Sequence, residues 1–275
     1  GFAGAACTTM CTLYMLQAAP RRYTGNMLVI GVGVAQLAVP IAWLVSPGLV
    51  DTGQWHNLYL FEAGLALCAF AGVVLLKLPP GIQLKAFEKL DFVTFALMAP
   101  GMALLVIVLA QGTVHWWTDA PWLGHMLVLS ILLLLAAWLI EHRRRNPLLQ
   151  TRWLATPAML QFVFGAFLIR FLTAEQSYGV INLMRALGMG PEQMQPLFAV
   201  ILGGTVLGIL VTALTFGPGR LIPQLLMAIL LLGSAALLDQ HRTSLDRPHD
   251  FFASQFLAAV GAGMFMGPLI MLGIT

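Results

Sequence analysis

The chain has 275 residues, of which 14 are Lys or Arg and 11 are Asp or Glu, so that 9% of it is charged and 59% hydrophobic. A soluble domain carries about 25% charged residues. This chain lacks the charge for a water-facing surface, which excludes a soluble enzyme, a nucleic-acid-binding domain and a disordered chain. The composition reads as an all-α polytopic membrane protein, and the net charge of +3 calls for no nucleic-acid partner because the basic residues mark membrane topology.

A membrane-crossing helix needs about 20 mainly apolar residues. Nine stretches meet that, at 2–19, 27–46, 57–76, 92–111, 122–140, 157–182, 196–215, 221–238 and 251–274. Turn chemistry separates them, as at Ser46-Pro47-Gly48, Pro79-Pro80-Gly81, Asn146-Pro147 and Gly217-Pro218-Gly219. Thr156-Pro157 reads as an N-cap followed by proline at the first helical position. Pro40, Pro100 and Pro268 are expected to kink their spans. The sequence opens at Gly1 inside an apolar run without a basic flank, so that run is not a signal peptide. The chain is expected to be an internal piece of a longer protein.

Orientation follows from the basic residues of the loops. Arg21, Arg22, Lys77, Lys85, Lys89, Arg143, Arg144, Arg145, Arg152 and Arg220 fall on one side; only Arg185, Arg242 and Arg247 fall on the other. The richer side is assigned to the cytoplasm, with Arg143 to Arg145 as anchors among the lipid headgroups. Trp43, Trp55, Trp116, Trp117 and Trp122 lie at the outer edge, as an aromatic belt should. The longest inner segments, 77–91 and 141–156, set a pair of spans apart, giving segments 1–76, 77–156 and 157–275.

Ionisable groups at bilayer depth are costly and therefore mark function. Arg170 lies 13 residues past Pro157, about 20 Å along a helix, and needs a partner or a water-filled cavity. At 3.6 residues per turn it shares a stripe with Thr173 and Ser177, whereas Gln161, Glu175, Tyr178 and Asn182 gather on another. A helix with two polar stripes is buried or lines a cavity. Glu62, one turn after Tyr59, reads either as a proton or cation site or as a carboxylate at the outer interface. Gln36, Thr8, Thr12, Cys11 and Gln17 either line the same cavity or bond within their own helices. The three cysteines, Cys7, Cys11 and Cys68, form no disulfide framework. No metal site and no cofactor is expected: Cys7 and Cys11 have no further ligand nearby. Gly204-x-x-x-Gly208 and Gly263-x-x-x-Gly267 read as close-packing faces.

Three segments resemble a known family. FEKLDFVTFALMAPGMALLVIVLAQGTVHWWTD (Phe87 to Asp119), EHRRRNPLLQTRWL (Glu141 to Leu154) and QFLAAVGAGMFMGPL (from Gln255) are similar to the fourteen-span drug:proton antiporters of the major facilitator superfamily, EmrB/QacA type. The resemblance implies a major facilitator bundle, of which this chain would be the fourth to twelfth spans. Segment 1–76 would then end the N-terminal six-helix half, 77–156 would hold an accessory two-span insert, and 157–275 would begin the C-terminal half. The family's fifth-span motif, G-x8-G-x3-G-P-x2-G-G, is eroded here. Pro40 stands, but Asn26, Ala35, Val39, Trp43 and Leu44 occupy the glycine positions, with Gly31 and Gly33 as partial substitutes.

The function this implies is secondary transport in the bacterial inner membrane: efflux of amphipathic, often cationic, small molecules in exchange for protons, by alternating access. Its partners would be the substrate, protons, the lipid bilayer and a periplasmic adaptor. The substrate or proton pathway would comprise Arg170, Glu175, Glu62, Gln161, Asn182, Tyr178 and Gln36. Two alternatives stand beside it: an uptake carrier or non-transporting relative, which the eroded glycine motif favours, and a membrane-embedded transferase. Against an enzyme, the six histidines are scattered singly, without an H-x-x-x-H or H-x-x-x-D pair. No G-x-x-x-x-G-K-S/T loop for nucleotide occurs either.

Overall fold

A computed structural model describes residues 2–18, 20, 23–49, 56–75, 88–117, 119–217, 219–243 and 246–274. Arg21, Arg22, Trp55, Lys77 and Lys85 lie outside the described residues, as do the side chains of Cys7, Thr8, Glu175 and Ser177. The described elements are helical: α1 (Phe2–Ala18), α2 (Thr24–Gln36), α3 (Ala38–Leu49), α4 (His56–Leu75), α5 (Lys89–Gly112), α6 (Pro121–Arg143), α7 (Thr151–Leu154), α8 (Pro157–Ala174), a π-helical turn (Glu175–Gly179), α9 (Val180–Ala186), α10 (Gln195–Thr215), α11 (Leu221–Asp239), a 3-10 turn (Pro248–Phe251) and α12 (Phe252–Ile274).

Seven helices among the described residues are long and apolar enough to cross a membrane: Thr24–Leu49, His56–Leu75, Lys89–Gly112, Pro121–Arg143, Gln195–Thr215, Leu221–Asp239 and Pro248–Leu272. The sequence reading counted two more. One is α1, which has 17 residues. The other, expected to run unbroken over 157–182, leaves α geometry at Glu175 for the π-helical turn and resumes at Val180. At the expected cap before it, the Thr156 hydroxyl donates to Trp153 O at 2.7 Å.

The chain divides into two compact units, Gly1–Gly81 with Phe162–Thr275, and Ile82–Gln161. The first is built on α10 and α12. Their contact depends on glycine: a Cβ on Gly204 would lie 2.8 Å from Phe256 O, one on Gly263 would lie 2.7 Å from Thr205 O, and one on Gly208 would collide with Val260 O. Small residues let the two backbones touch, as expected of these spacings. Pro268 leaves the carbonyl of Met264 without its helical donor. The Thr212 hydroxyl, which donates to Gly208 O at 2.9 Å, also reaches Met264 O at 3.5 Å.

α11 is tied to α10 by Gln224 Nε2, which donates to Thr215 Oγ1 at 2.7 Å and Thr212 O at 3.3 Å. α2 seats on the same core: a Cβ on Gly33 would lie 2.6 Å from Ile209, one on Gly267 of α12 would lie 2.9 Å from Val29, and Asn26 Nδ2 donates to Ala213 O at 2.9 Å. Gly31, the other expected motif remnant, packs instead against Met15 of α1. α4 buries no residue.

The second unit is a hairpin of α5 and α6. Ser130, fully buried, donates to Gly101 O at 2.7 Å across it. At one end, Trp117 folds over Gly112, where an added Cβ would lie 2.5 Å from the indole, and Trp116 takes φ +50° to make the turn.

Candidate functional site

A proline and a π-turn shape the core of the first unit. Pro40 has no N–H for the carbonyl of Gln36, and the helix breaks there: Leu37 is a turn residue whose N–H reaches back only three residues, to Val34 O at 3.1 Å. Gln36 Nε2 is buried without a hydrogen-bond partner. On α3, Trp43 meets Phe198 of α10 with ring centroids 5.4 Å apart, and Gln195 Nε2 donates to Leu44 O at 3.5 Å. Facing this break is the π-turn, pinned by Gln176 Nε2, which donates to Gln255 O of α12 at 3.1 Å.

Between them lies a cavity of about 880 Å³ within the first unit, lined from α2, α3, α8, the π-turn, α9, α10 and α12. Of the residues singled out in the sequence, it brings together Gln36, Pro40, Arg170, Tyr178 and Asn182. Trp43, Ile169, Ile181, Ile201 and Met266 supply apolar wall.

The π-turn explains why one cavity holds residues that a 3.6-residue period assigns to two stripes. A π-turn inserts one residue into the helix and so removes about 100° of phase. Tyr178 and Asn182 then fall within about 20° of Arg170, and Arg185 within about 40°. Gln161 lies on the uninterrupted part of α8, about 180° around from Arg170. It is exposed and is not among the lining residues. Glu62 is exposed on α4 and is not among the lining residues. The backbone of Glu175 begins the π-turn; its side chain lies outside the described residues.

The sequence reading missed two lining residues of consequence. Arg185 was counted among the outer-loop cations, and Trp43 among the aromatic belt; both line the cavity. The signal for Arg185 was its place three residues after Asn182, one turn on along the same face. Among the described residues no Asp or Glu side chain lines the cavity, and no group of three or more His, Cys, Asp or Glu is arranged to hold a metal.

The second polar cluster belongs to the hairpin unit, and it corrects the expectation that Arg143 to Arg145 are all headgroup anchors. Arg143 and Arg145 are exposed, but the Arg144 side chain is only 8% exposed. Its Nη1 donates to Asp91 Oδ1 at 2.6 Å and Glu141 Oε1 at 2.9 Å, and its Nη2 to Glu88 Oε2 at 2.9 Å. Glu141 also accepts from Thr94 Oγ1 at 2.7 Å and Leu149 N at 3.1 Å; Asn146 Nδ2 donates to Glu88 at 3.2 Å. Hydrogen bonds from Arg144 and Asn146 hold the Glu88 carboxyl below its ordinary range, and the carboxylates hold the Arg144 guanidinium above its own. With its donors and acceptors paired to one another, this cluster is a clamp between the loop after α6 and the start of α5.

Together these features define a class: a multi-pass, all-helical membrane protein with a polar cavity inside one helical unit. Compared with protein families, curated proteins and solved structures, the chain matches none.

Proposed function

We propose that the chain is the central part of a secondary active transporter with a major facilitator fold, moving amphipathic small molecules across the bacterial inner membrane by alternating access. Export coupled to protons is the direction and energy source of this proposal, nine spans is its count, and a periplasmic adaptor its further partner. One observation carries it. The cavity combines a drug-sized volume with Arg170 and amide side chains at a helix break and a π-turn, which are the discontinuities that transporter sites use. Catalysis by a membrane-embedded transferase finds no comparable support in that cavity.

The test is dye efflux from proteoliposomes under an imposed pH gradient, with Arg170→Ala and Glu175→Gln beside the wild type. Both variants are expected to insert normally and to lose efflux. Wild-type flux in both would overturn the site, and wild-type flux indifferent to the gradient would overturn proton coupling.

A second reading, an uptake carrier or a non-transporting relative, is favoured by the eroded glycine motif. At those positions Asn26 bonds α10, and Trp43 packs on Phe198. Side chains thus hold α2 and α3 against α10 where glycines would leave them free to slide.

A further inference from the structure

Resting on the transporter reading, we infer that the cavity accepts an anionic amphipath, a small carboxylate, sulfonate or phosphate ester with an apolar body, and that Arg170 is its counter-ion. The chemistry of the described lining is one-sided. Its two charged residues are Arg170 and Arg185, and no described carboxylate stands among them. Arg carries donors only and cannot lose its proton. Gln36 adds a buried amide N–H with no partner, and Tyr178 and Asn182 supply further donors. The unpartnered Gln36 amide N–H is completed by an acceptor oxygen, and two cations lining one cavity attract an anion and repel a cation.

The two arginines act at different heights. Fifteen residues of helix separate them, about 20 Å along the axis. Both are exposed lining residues, and Arg185 extends the positive field along the cavity, which draws anions in. The aromatic and aliphatic walls, Trp43 with Ile169, Ile181 and Met266, take the apolar body. Cationic dyes, the substrates that the sequence resemblance suggests, do not fit this charge pattern.

Trp43 lines the cavity and serves as a built-in reporter. Tryptophan quenching of the purified full chain is titrated with 4-nitrobenzoate and with the cationic isostere 4-nitrobenzyltrimethylammonium; Trp43→Phe identifies the cavity's share of the signal. Saturable quenching by the carboxylate is expected, lost in Trp43→Phe, with the cation weaker by at least about tenfold. Arg170→Gln and Arg185→Gln are each expected to weaken the carboxylate, Arg170→Gln by about tenfold or more, while Arg170→Lys recovers part of the loss.

The wild-type comparison of the two probes needs no variant to fold. Equal or tighter binding of the cation overturns the inference. So does an absence of Trp43-dependent quenching by either probe, or carboxylate binding indifferent to both substitutions. Flux of the same two probes into proteoliposomes is read separately. Carboxylate that binds without moving overturns the transporter reading and leaves the anion site standing; cation moved in preference overturns the anion site and leaves transport standing.

Discussion

Arg144 and Arg170 show how far one residue type can be read from its position in a sequence. The side chain of one is buried and saturated by three carboxylates, whereas the other is exposed and has no described acid beside it in its cavity. The run Arg143-Arg144-Arg145 gave no sign that its middle member turns inward, because its partners Glu88 and Asp91 come from more than 50 positions away. Removing Arg144 strands Asp91 and Glu141, both buried, as uncompensated charges. Arg144→Ala is therefore expected to lower the melting temperature of the detergent-solubilised chain. Arg144→Lys should recover little, since one ammonium cannot reproduce a planar fork shared among three acceptors. Equal melting of wild type and Arg144→Ala would remove the clamp. Glu88 adds a pH dependence of known sign. Its folded carboxyl lies below its ordinary value of 4.5, so its contribution is present above that value and is lost as pH falls through the folded one. The melting advantage of wild type over Glu88→Gln should accordingly shrink as the pH is taken from about 6 to about 3; an advantage that persists unchanged would contradict the ion pairing.

Among the elements, glycine spacing was legible and helix phase was not. Gly204-x-x-x-Gly208 and Gly263-x-x-x-Gly267 predict close approach, and the structure brings Gly263 within 3.2 Å of Gly208 Cα for an added Cβ. The signal survives because small residues have one use at such spacing. The helix at 157–186, by contrast, obeys a 3.6-residue period only as far as Ala174. A π-turn leaves no mark in composition, so Tyr178 and Asn182, which a 3.6-residue period sets on a stripe apart from Arg170, line one cavity with it. Packing at the glycines is directly testable. Gly208→Ala sets a methyl against the Val260 carbonyl, a backbone atom that cannot swing aside, and should cost about 1–3 kcal/mol. Gly203, one position before Gly204 with open space at its Cβ, is the control: Gly203→Ala should leave melting unchanged or raise it. If both substitutions are equally tolerated, α10 and α12 do not meet at these residues.

For the molecule as a whole, the composition sufficed for the class, since so little charge leaves no other home for so much apolar surface. Composition could not give the partition into two units; the two long inner segments at 77–91 and 141–156 are what set the α5–α6 pair apart in the sequence. Nor could it show that Arg185 and Trp43, both credited to the membrane's outer edge, line a cavity in the core. What remains to be tested at this scale is orientation, and the hairpin unit is where the test is cleanest. One end carries the clamp around Arg144, followed by the exposed Arg145; the other carries the turn of Trp116 and Trp117, followed by the exposed Asp119. The excess of basic residues on the first side assigns it to the cytoplasm. In cells expressing the full protein with Cys7, Cys11 and Cys68 replaced, Asp119→Cys should react with a membrane-impermeant maleimide added outside. Arg145→Cys, exposed and outside the clamp's ion pairs, should react only after the membrane is permeabilised. The reverse pattern would invert the topology of the hairpin and put the Arg144 clamp on the outer side.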